Sequence, residues 1–386
     1  MKQSANPLGQ YFTTNVLLQE KVFQFILNAP LRILEPSVGR GDLVSFIYKR
    51  ITGIQFDMYE IDETIPTLPG IHDVIYTDFM THSICDKYKT IIGNPPYIRT
   101  KTGNLYLDFV NKCYRLLQDG GELIFIVPSD FFKLTSAGPL LEDMMVNGTF
   151  THIYHPHNEK MFPGASIDVI VYRYCKCKLL EKKVQYNGQQ LYITNKSGLI
   201  TFGDISSSDE VFSDYFNIYV GMVSGKESVY KNQELGNMTV LNGKDNPEKY
   251  IYITRYPCES ESINRYLEQH KAVLLSRKIK KFHEENWFEW GAPRNLKAIN
   301  EHQGADCIYI YNLTRKETVA FTGKVGYFGG SLIMLVPKRA CDLVEITKYI
   351  NSSAFKNNFI FSGRFKIGHR QISNSRVELR AVACGP

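Results

Sequence analysis

Four consecutive residues, Asn94-Pro95-Pro96-Tyr97, come directly after the apolar run Thr90-Ile91-Ile92-Gly93. A carboxamide and a phenol ring thereby stand side by side at the end of a buried strand. Two adjacent prolines fix the backbone and remove two donors, so the chain can neither extend the ladder nor enter a helix interior here. A rigid amide offers acceptors to a polar group, and the ring offers a flat face to a planar one. On these four residues alone, a plain Asn-Pro-Pro turn stays open.

Three other strand ends carry polar residues suited to a nucleoside. After one short apolar strand comes Glu35-Pro36-Ser37-Val38-Gly39-Arg40-Gly41-Asp42, whose glycines permit a tight turn and close approach to a ligand. A lone G-x-G is usually an ordinary turn. Glu60 ends the next strand, where an acid accepts from two ribose hydroxyls in dinucleotide folds; a solvated acid is the alternative. Asp78-Phe79 ends a third, offering an acceptor for a purine amine and a ring for its face, or else a helix cap and a core aromatic.

The elements that must position these residues alternate. Residues 16–28 have helical periodicity after Thr13-Thr14-Asn15. A strand, turn and amphipathic helix fill 32–51, and strands are expected at 54–62, 72–79 and 88–94. A helix over Leu105–Leu117 ends at Asp119-Gly120-Gly121, before strands at 122–132, 150–156 and 166–175. Alternation of this kind implies βαβ units and a mainly parallel sheet with helices on both faces. The ligand then lies beyond the carboxyl ends of the strands, at the switch point of strand order.

A chain of 386 residues, 44% of them hydrophobic, can bury a large core and makes two domains the default. No apolar run is long enough to span a membrane, and the first six residues lack the apolar core of a signal peptide. The eight cysteines are scattered; Cys175 and Cys177 form a single C-x-C without metal or redox spacing. Reduced thiols in a cytoplasmic protein are expected. Net charge is +6, and residues 206–386, with 25 basic and 19 acidic residues, carry all of it. That asymmetry suits a phosphate-facing domain beside a neutral catalytic one, or a solvated surface.

Together the motifs resemble the AdoMet-dependent methyltransferases, specifically the gamma class of DNA adenine-N6 methyltransferases, the TaqI-like enzymes. "GNPPY" is similar to their catalytic motif, "EPSVGRGD" to their AdoMet loop, "YEID" to their ribose acid and "TDF" to their adenine contact. "GQYFTT" at 9–14 resembles the motif at the methionine end, with Thr14 where a proline is usual. The resemblance implies an α/β fold with a Rossmann-like, mainly parallel seven-stranded sheet over residues 1–205, and a C-terminal α+β DNA-recognition domain over 206–386. It implies S-adenosyl-L-methionine as cofactor, held by Tyr11, Thr13, Glu35, Pro36, Ser37, Gly39, Gly41, Glu60, Ile61, Asp78, Phe79 and Asn94. No metal site is expected.

Under that resemblance Asn94, Pro95, Pro96 and Tyr97 are catalytic. The Asn94 Oδ1 and Pro95 carbonyl accept from the two N–H bonds of an adenine amine, and Tyr97 stacks on a base swung out of the duplex. A second aromatic wall is expected from Phe162 or Phe202, with Phe202 favoured by position. The polar stretch 203–210 suits a boundary. Beyond it, Arg277, Lys278, Lys280 and Lys281, and then Arg364, Lys366 and Arg370, are candidate DNA contacts. "HPH" at 155–157 reads as structural. The partners implied are double-stranded DNA and a separate restriction endonuclease acting on the same site, with the methylase itself a monomer. Methylation of RNA or of protein glutamine shares the N-P-P-Y motif, and a non-catalytic nucleic-acid-binding module is the remaining alternative.

Overall fold

The computed structural model describes residues 9–100, 103–178, 182–203, 210–359, 364–375 and 377. The first six residues and most of the 203–210 boundary stretch lie outside them. The chain divides into two compact units: residues 1–205 with 357–363, and residues 206–356 with 364–386. The second region is therefore not continuous. A short return at 357–363 groups with the first unit, where the Phe202 amide donates to the Asn358 carbonyl at 3.3 Å.

In the first unit α1 (Val16–Gln24) precedes β1 (Arg32–Glu35), α2 (Asp42–Tyr48), β2 (Gln55–Glu60), β3 (Val74–Tyr76) and β4 (Tyr88–Gly93). Then come α3 (Leu105–Leu116), β5 (Leu117–Pro128), α4 (Gly138–Asn147), β6 (Thr149–Tyr154) and β7 (Val169–Cys175). The hairpin strands β8 (Lys183–Tyr186), β9 (Gln189–Lys196) and β10 (Leu199–Gly203) complete the unit. All join one sheet in the order β10-β9-β8-β6-β7-β5-β4-β1-β2-β3. Strands β3, β2, β1, β4 and β5 are parallel, while β7 runs antiparallel between β5 and β6. Strand order reverses between β1 and β4, which places Glu35 and Asn94 on either side of the switch point.

The seven-stranded expectation needs extension to ten strands. Asn187-Gly188 and Ser197-Gly198, all with positive φ, make two-residue turns whose twist matches antiparallel strands, so β8, β9 and β10 fold back on one another beside β6. Two boundaries also move. The first helix stops at Gln24, short of residue 28. The strand expected at 122–132 begins at Leu117 and ends at Pro128, and Ser129–Lys133 winds into a 3₁₀ turn that buries Phe131 and Phe132.

The central strands are buried on both faces, with Ile91, Ile92, Leu123, Ile124, Phe125 and Ile126 inaccessible to solvent. Two apolar clusters result, one under α3 and α4 and the other under α1 and α2. They hold the strand ends rigid where the motif residues emerge.

The second unit has a four-stranded antiparallel sheet of Phe216–Val220, Leu332–Pro337, Asp306–Tyr311 and Ala320–Lys324. A separate cluster buries Trp287 and Trp290. The seven described cysteines are free thiols. Among the described residues no helix is long and apolar enough to cross a membrane, and no group of His, Cys, Asp and Glu could hold a metal ion.

Candidate active site

Asn94 is oriented by the segment that precedes the first strand. Its Nδ2 donates to the Tyr11 carbonyl at 2.7 Å and to Thr13 Oγ1 at 3.1 Å. Both amide hydrogens are thereby used, which fixes the rotation of the side chain and leaves Oδ1 as the acceptor. Thr13 is itself held from below, because Gln19 Nε2 on α1 donates to the Thr13 carbonyl at 2.7 Å. The start of α1 is set by Asn15, whose side chain accepts from the Leu17 and Leu18 amides. Sequence, helix cap and amide orientation form one chain of cause.

Oδ1 of Asn94 accepts from the Tyr97 hydroxyl at 2.5 Å, and the same hydroxyl lies 3.0 Å from the Ile126 carbonyl. Burial pushes the Tyr97 phenol well above its ordinary pKa, so it is a neutral donor. Among the described residues nothing donates to the buried Pro95 carbonyl. The Tyr97 ring stacks on Tyr11 at 5.7 Å between centroids and meets Phe162 edge-on at 6.3 Å. Tyr11 and Phe162 are in turn 5.6 Å apart. Three aromatic rings thus pack together, one of them bonded through its hydroxyl to the carboxamide.

Phe202 does not join them. It lies on β10, the far edge strand, packed against Phe132 at 5.4 Å and Tyr186 at 6.0 Å in the core. The second aromatic beside Tyr97 is Phe162, from the loop between β6 and β7. The sheet order brings β7 against β5 and leaves β10 well beyond them at the edge, so Phe202 stands apart from Tyr97 and Phe162, itself buried, meets it.

Beside Asn94 opens a cavity of about 270 Å³. Eleven of the twelve expected cofactor residues line it, and Gly41 is the exception. Gly41, at φ 85, instead forms the turn into α2, where a Cβ would stand 2.7 Å from Ile71. Glu60 braces the loop opposite: one carboxylate oxygen accepts from the Gly39 amide at 2.8 Å, the other from the Ile61 and Asp62 amides. Glu35 is buried at the floor. Burial, with Glu60 adding to it, pushes its carboxyl up to about 8 against the opposing hydrogen bond from the Ser37 amide.

Phe79 lines the cavity yet is only 2% exposed. Its ring stacks on Phe109 at 5.4 Å and meets Tyr59 edge-on, as a core aromatic does. Ile61, 62% exposed at the rim, is the more open apolar surface. Sequence reading also passed over Leu105 and Phe109, which line the cavity from one face of α3 at i and i+4 spacing.

In the second unit the basic run breaks up. Arg277 is buried, and its guanidinium donates to the carbonyls of Leu274, Ser224, Glu289 and Trp287 while lying 3.7 Å from the Phe282 ring centroid. With its donors turned onto backbone carbonyls it pins the fold locally and is not presented at the surface as the neighbouring lysines are. Lys280 pairs with Glu289 at 2.8 Å. Lys278, Lys281, Arg364 and Lys366 are exposed, and Arg370 is half-buried. His155 is buried, with Nε2 2.7 Å from Asp168. A roomier cavity of about 810 Å³ lies in the second unit, and none of the motif residues or candidate DNA contacts line it.

A family model described as "Eco57I restriction-modification methylase" matches residues 71–162. Over 200 residues the chain is 32% identical to the type II methyltransferase M.HincII of Haemophilus influenzae, spanning 45% of this chain and 38% of that protein. Over 172 residues it is 28% identical to the type II methyltransferase M.TthHB8I of Thermus thermophilus, spanning 38% and 40%. The chain thus spans about two fifths of the length of these curated relatives. Among solved structures, that of the type IIL restriction-modification enzyme MmeI in complex with DNA superposes over 94% of this chain and 64% of its own, at a TM-score of 0.60 and 10% identity. That likeness is one of fold.

Proposed function

We propose that the chain is a site-specific DNA methyltransferase that moves a methyl group from S-adenosyl-L-methionine to the N6 amine of an adenine swung out of duplex DNA, as the modification half of a restriction-modification system. The observation that carries this reading is the double anchoring of Asn94 Nδ2, which leaves Oδ1 as a fixed acceptor just before Pro95, whose carbonyl would be the second. Two acceptors at that spot suit an amine with two N–H bonds. The cavity of about 270 Å³ next to it, with an acid at one strand end and Asp78 at another, suits a nucleoside ligand.

The adenine amine is a poor nucleophile because its lone pair is delocalised into the ring. Oδ1 of Asn94 and the Pro95 carbonyl favour a tetrahedral nitrogen and stabilise the positive charge that grows on it. The cofactor, when bound, supplies an electrophilic methyl on a sulfonium. No general base is needed, since a methylated ammonium sheds its proton to water. Tyr97 and Tyr11, both half-buried and with the buried Phe162 packed against them, supply the aromatic surface that an extruded base requires. The names of the relatives support DNA as the substrate class, and the net positive charge of residues 206–386 suits a phosphate-bearing partner.

The test is methyl transfer from radiolabelled S-adenosyl-L-methionine offered to DNA, RNA and protein in parallel. Label appearing in DNA as N6-methyladenine supports the reading. Label in RNA or on protein glutamine alone would overturn it.

A further inference from the structure

Lys112, on α3, does not line the cavity, yet its ammonium sits at the centre of the loop that does. Nζ donates to the carbonyls of Phe79, of Met80 at 3.2 Å and of His82 at 2.6 Å. It also lies 4.7 Å from the Phe79 ring centroid. An ammonium has three N–H donors, and here each has a backbone carbonyl. The loop is wound about this point. The Thr77 amide ties it to the Glu60 carbonyl, and the Thr81 and His82 amides turn back to the Asp78 carbonyl. Asp78 Oδ1 accepts from the Met80 amide at 2.9 Å. The donors of the turn gather on Asp78 and its carbonyls gather on Lys112, so the position of the Asp78 carboxylate depends on where Lys112 holds the turn.

We infer that Lys112 is the positioning residue that makes this cavity selective for an adenine ring: by gathering the carbonyls of Phe79, Met80 and His82 it holds Asp78 as acceptor for the exocyclic 6-amino group of the bound nucleoside. The inference rests on the cofactor reading proposed for this cavity and deepens it. The helix that carries Lys112 also carries Phe109, stacked on Phe79, so α3 fixes both the ring beneath the turn and the charge that folds it. Loss of the ammonium leaves three carbonyls without their donor, and the turn must open to reach water or other donors.

The experiment measures equilibrium binding of two ligands by calorimetry: S-adenosylhomocysteine, and S-inosylhomocysteine, in which a carbonyl replaces the 6-amino group. The wild-type chain should prefer the adenine ligand by roughly 10²-fold or more, since a site built to accept from an amine rejects the analogue lacking it. Lys112→Met should weaken the adenine ligand by about tenfold or more while leaving the inosine ligand nearly unchanged, so the ratio collapses. Lys112→Arg, which keeps the charge and several donors, should retain most of the preference. If Lys112→Met does not fold, Lys112→Gln, with two donors and no charge, carries the comparison and should show an intermediate ratio. A variant that weakens both ligands equally, leaving the ratio as in wild type, would show mere packing damage and overturn the inference. A wild-type chain that binds neither ligand overturns the cofactor reading itself, a failure recognisable because it does not depend on Lys112.

Discussion

The Tyr97 hydroxyl donates to Asn94 Oδ1 at 2.5 Å, so a neighbouring phenol shares the acceptor proposed for the substrate amine. Oδ1 has a second lone pair for the amine of an extruded base, and the hydroxyl has the Ile126 carbonyl, 3.0 Å away, as a further acceptor. Tyr97→Phe removes the hydroxyl and keeps the face, so steady-state methylation should stay within a few-fold of wild type. Tyr97→Ala removes the stacking surface, worth ~1–3 kcal/mol per base, and should lower turnover by about tenfold or more. If both variants lose activity alike, the hydroxyl does more than hold a place, and stacking is not the role of this ring.

Thr13 lines the cavity and also holds the Asn94 carboxamide. Thr13→Val keeps the shape but removes the Oγ1 acceptor at 3.1 Å, freeing the carboxamide to rotate. Misorientation of a preorganised acceptor costs on the order of 10- to 100-fold in kcat. Single-turnover rates at saturating cofactor should show that loss, with cofactor affinity changed by only a few-fold. A variant impaired in cofactor affinity alone would place Thr13 at the ligand and not at the amide.

Glu35 links the site to pH. Its carboxyl stands near 4.5 in an unfolded chain and is raised to about 8 in the fold, mainly by burial. The folded state therefore holds a proton that the unfolded state has lost, and stability falls as pH rises from about 4.5 to about 8. Glu35→Gln cannot ionise and should remove that slope, gaining a few kcal/mol relative to wild type at about pH 8.5 but not at about pH 4.5. Urea unfolding at the two pH values measures it. The same variant should bind the cationic cofactor more weakly above about pH 8, where wild type supplies a carboxylate. Equal gains at both pH values would remove the buried-acid explanation.

In the second unit the candidate cations divide by burial. Lys278→Ala and Lys281→Ala should each flatten the salt dependence of binding to a cognate duplex by about one unit of log–log slope. Arg277→Ala should leave the slope unchanged and cost about 2–4 kcal/mol of stability, because four backbone carbonyls lose their donor. A slope that falls for Arg277→Ala without loss of stability would return this residue to the phosphate-facing group.

The strand-end residues were legible because their signals are local. A short apolar run that gives way to Asn94-Pro95-Pro96, or to Glu35-Pro36-Ser37, marks in a few residues both a buried strand and the polar turn at its end. Parallel strands then bring such ends together without further information. The features that were not legible depend on distance through space. Phe162 and Phe202 are equally aromatic, and only the order of β5, β7 and β10 in the sheet says which meets Tyr97. Arg277 stands in a run of four other exposed or half-exposed residues and looks like them, but one turn of backbone points it inward onto four carbonyls. Lys112 reads as the polar face of an amphipathic helix, and its role appears only once the 77–82 turn is seen folded around it. The hairpins at 183–203 were signalled by Asn187-Gly188 and Ser197-Gly198, though alternation of strand and helix does not require them.

The central claim is that Asn94 and the Pro95 carbonyl form the acceptor pair for an adenine amine. It is tested most directly by Asn94→Ala in the radiolabel assay on DNA, with cofactor binding measured on the same preparation. Loss of one preorganised acceptor should reduce transfer by roughly 10²–10³-fold or more, while the cofactor affinity stays within a few-fold of wild type. Methylation of DNA by Asn94→Ala within a few-fold of wild type would contradict the account and move the active site elsewhere in the chain.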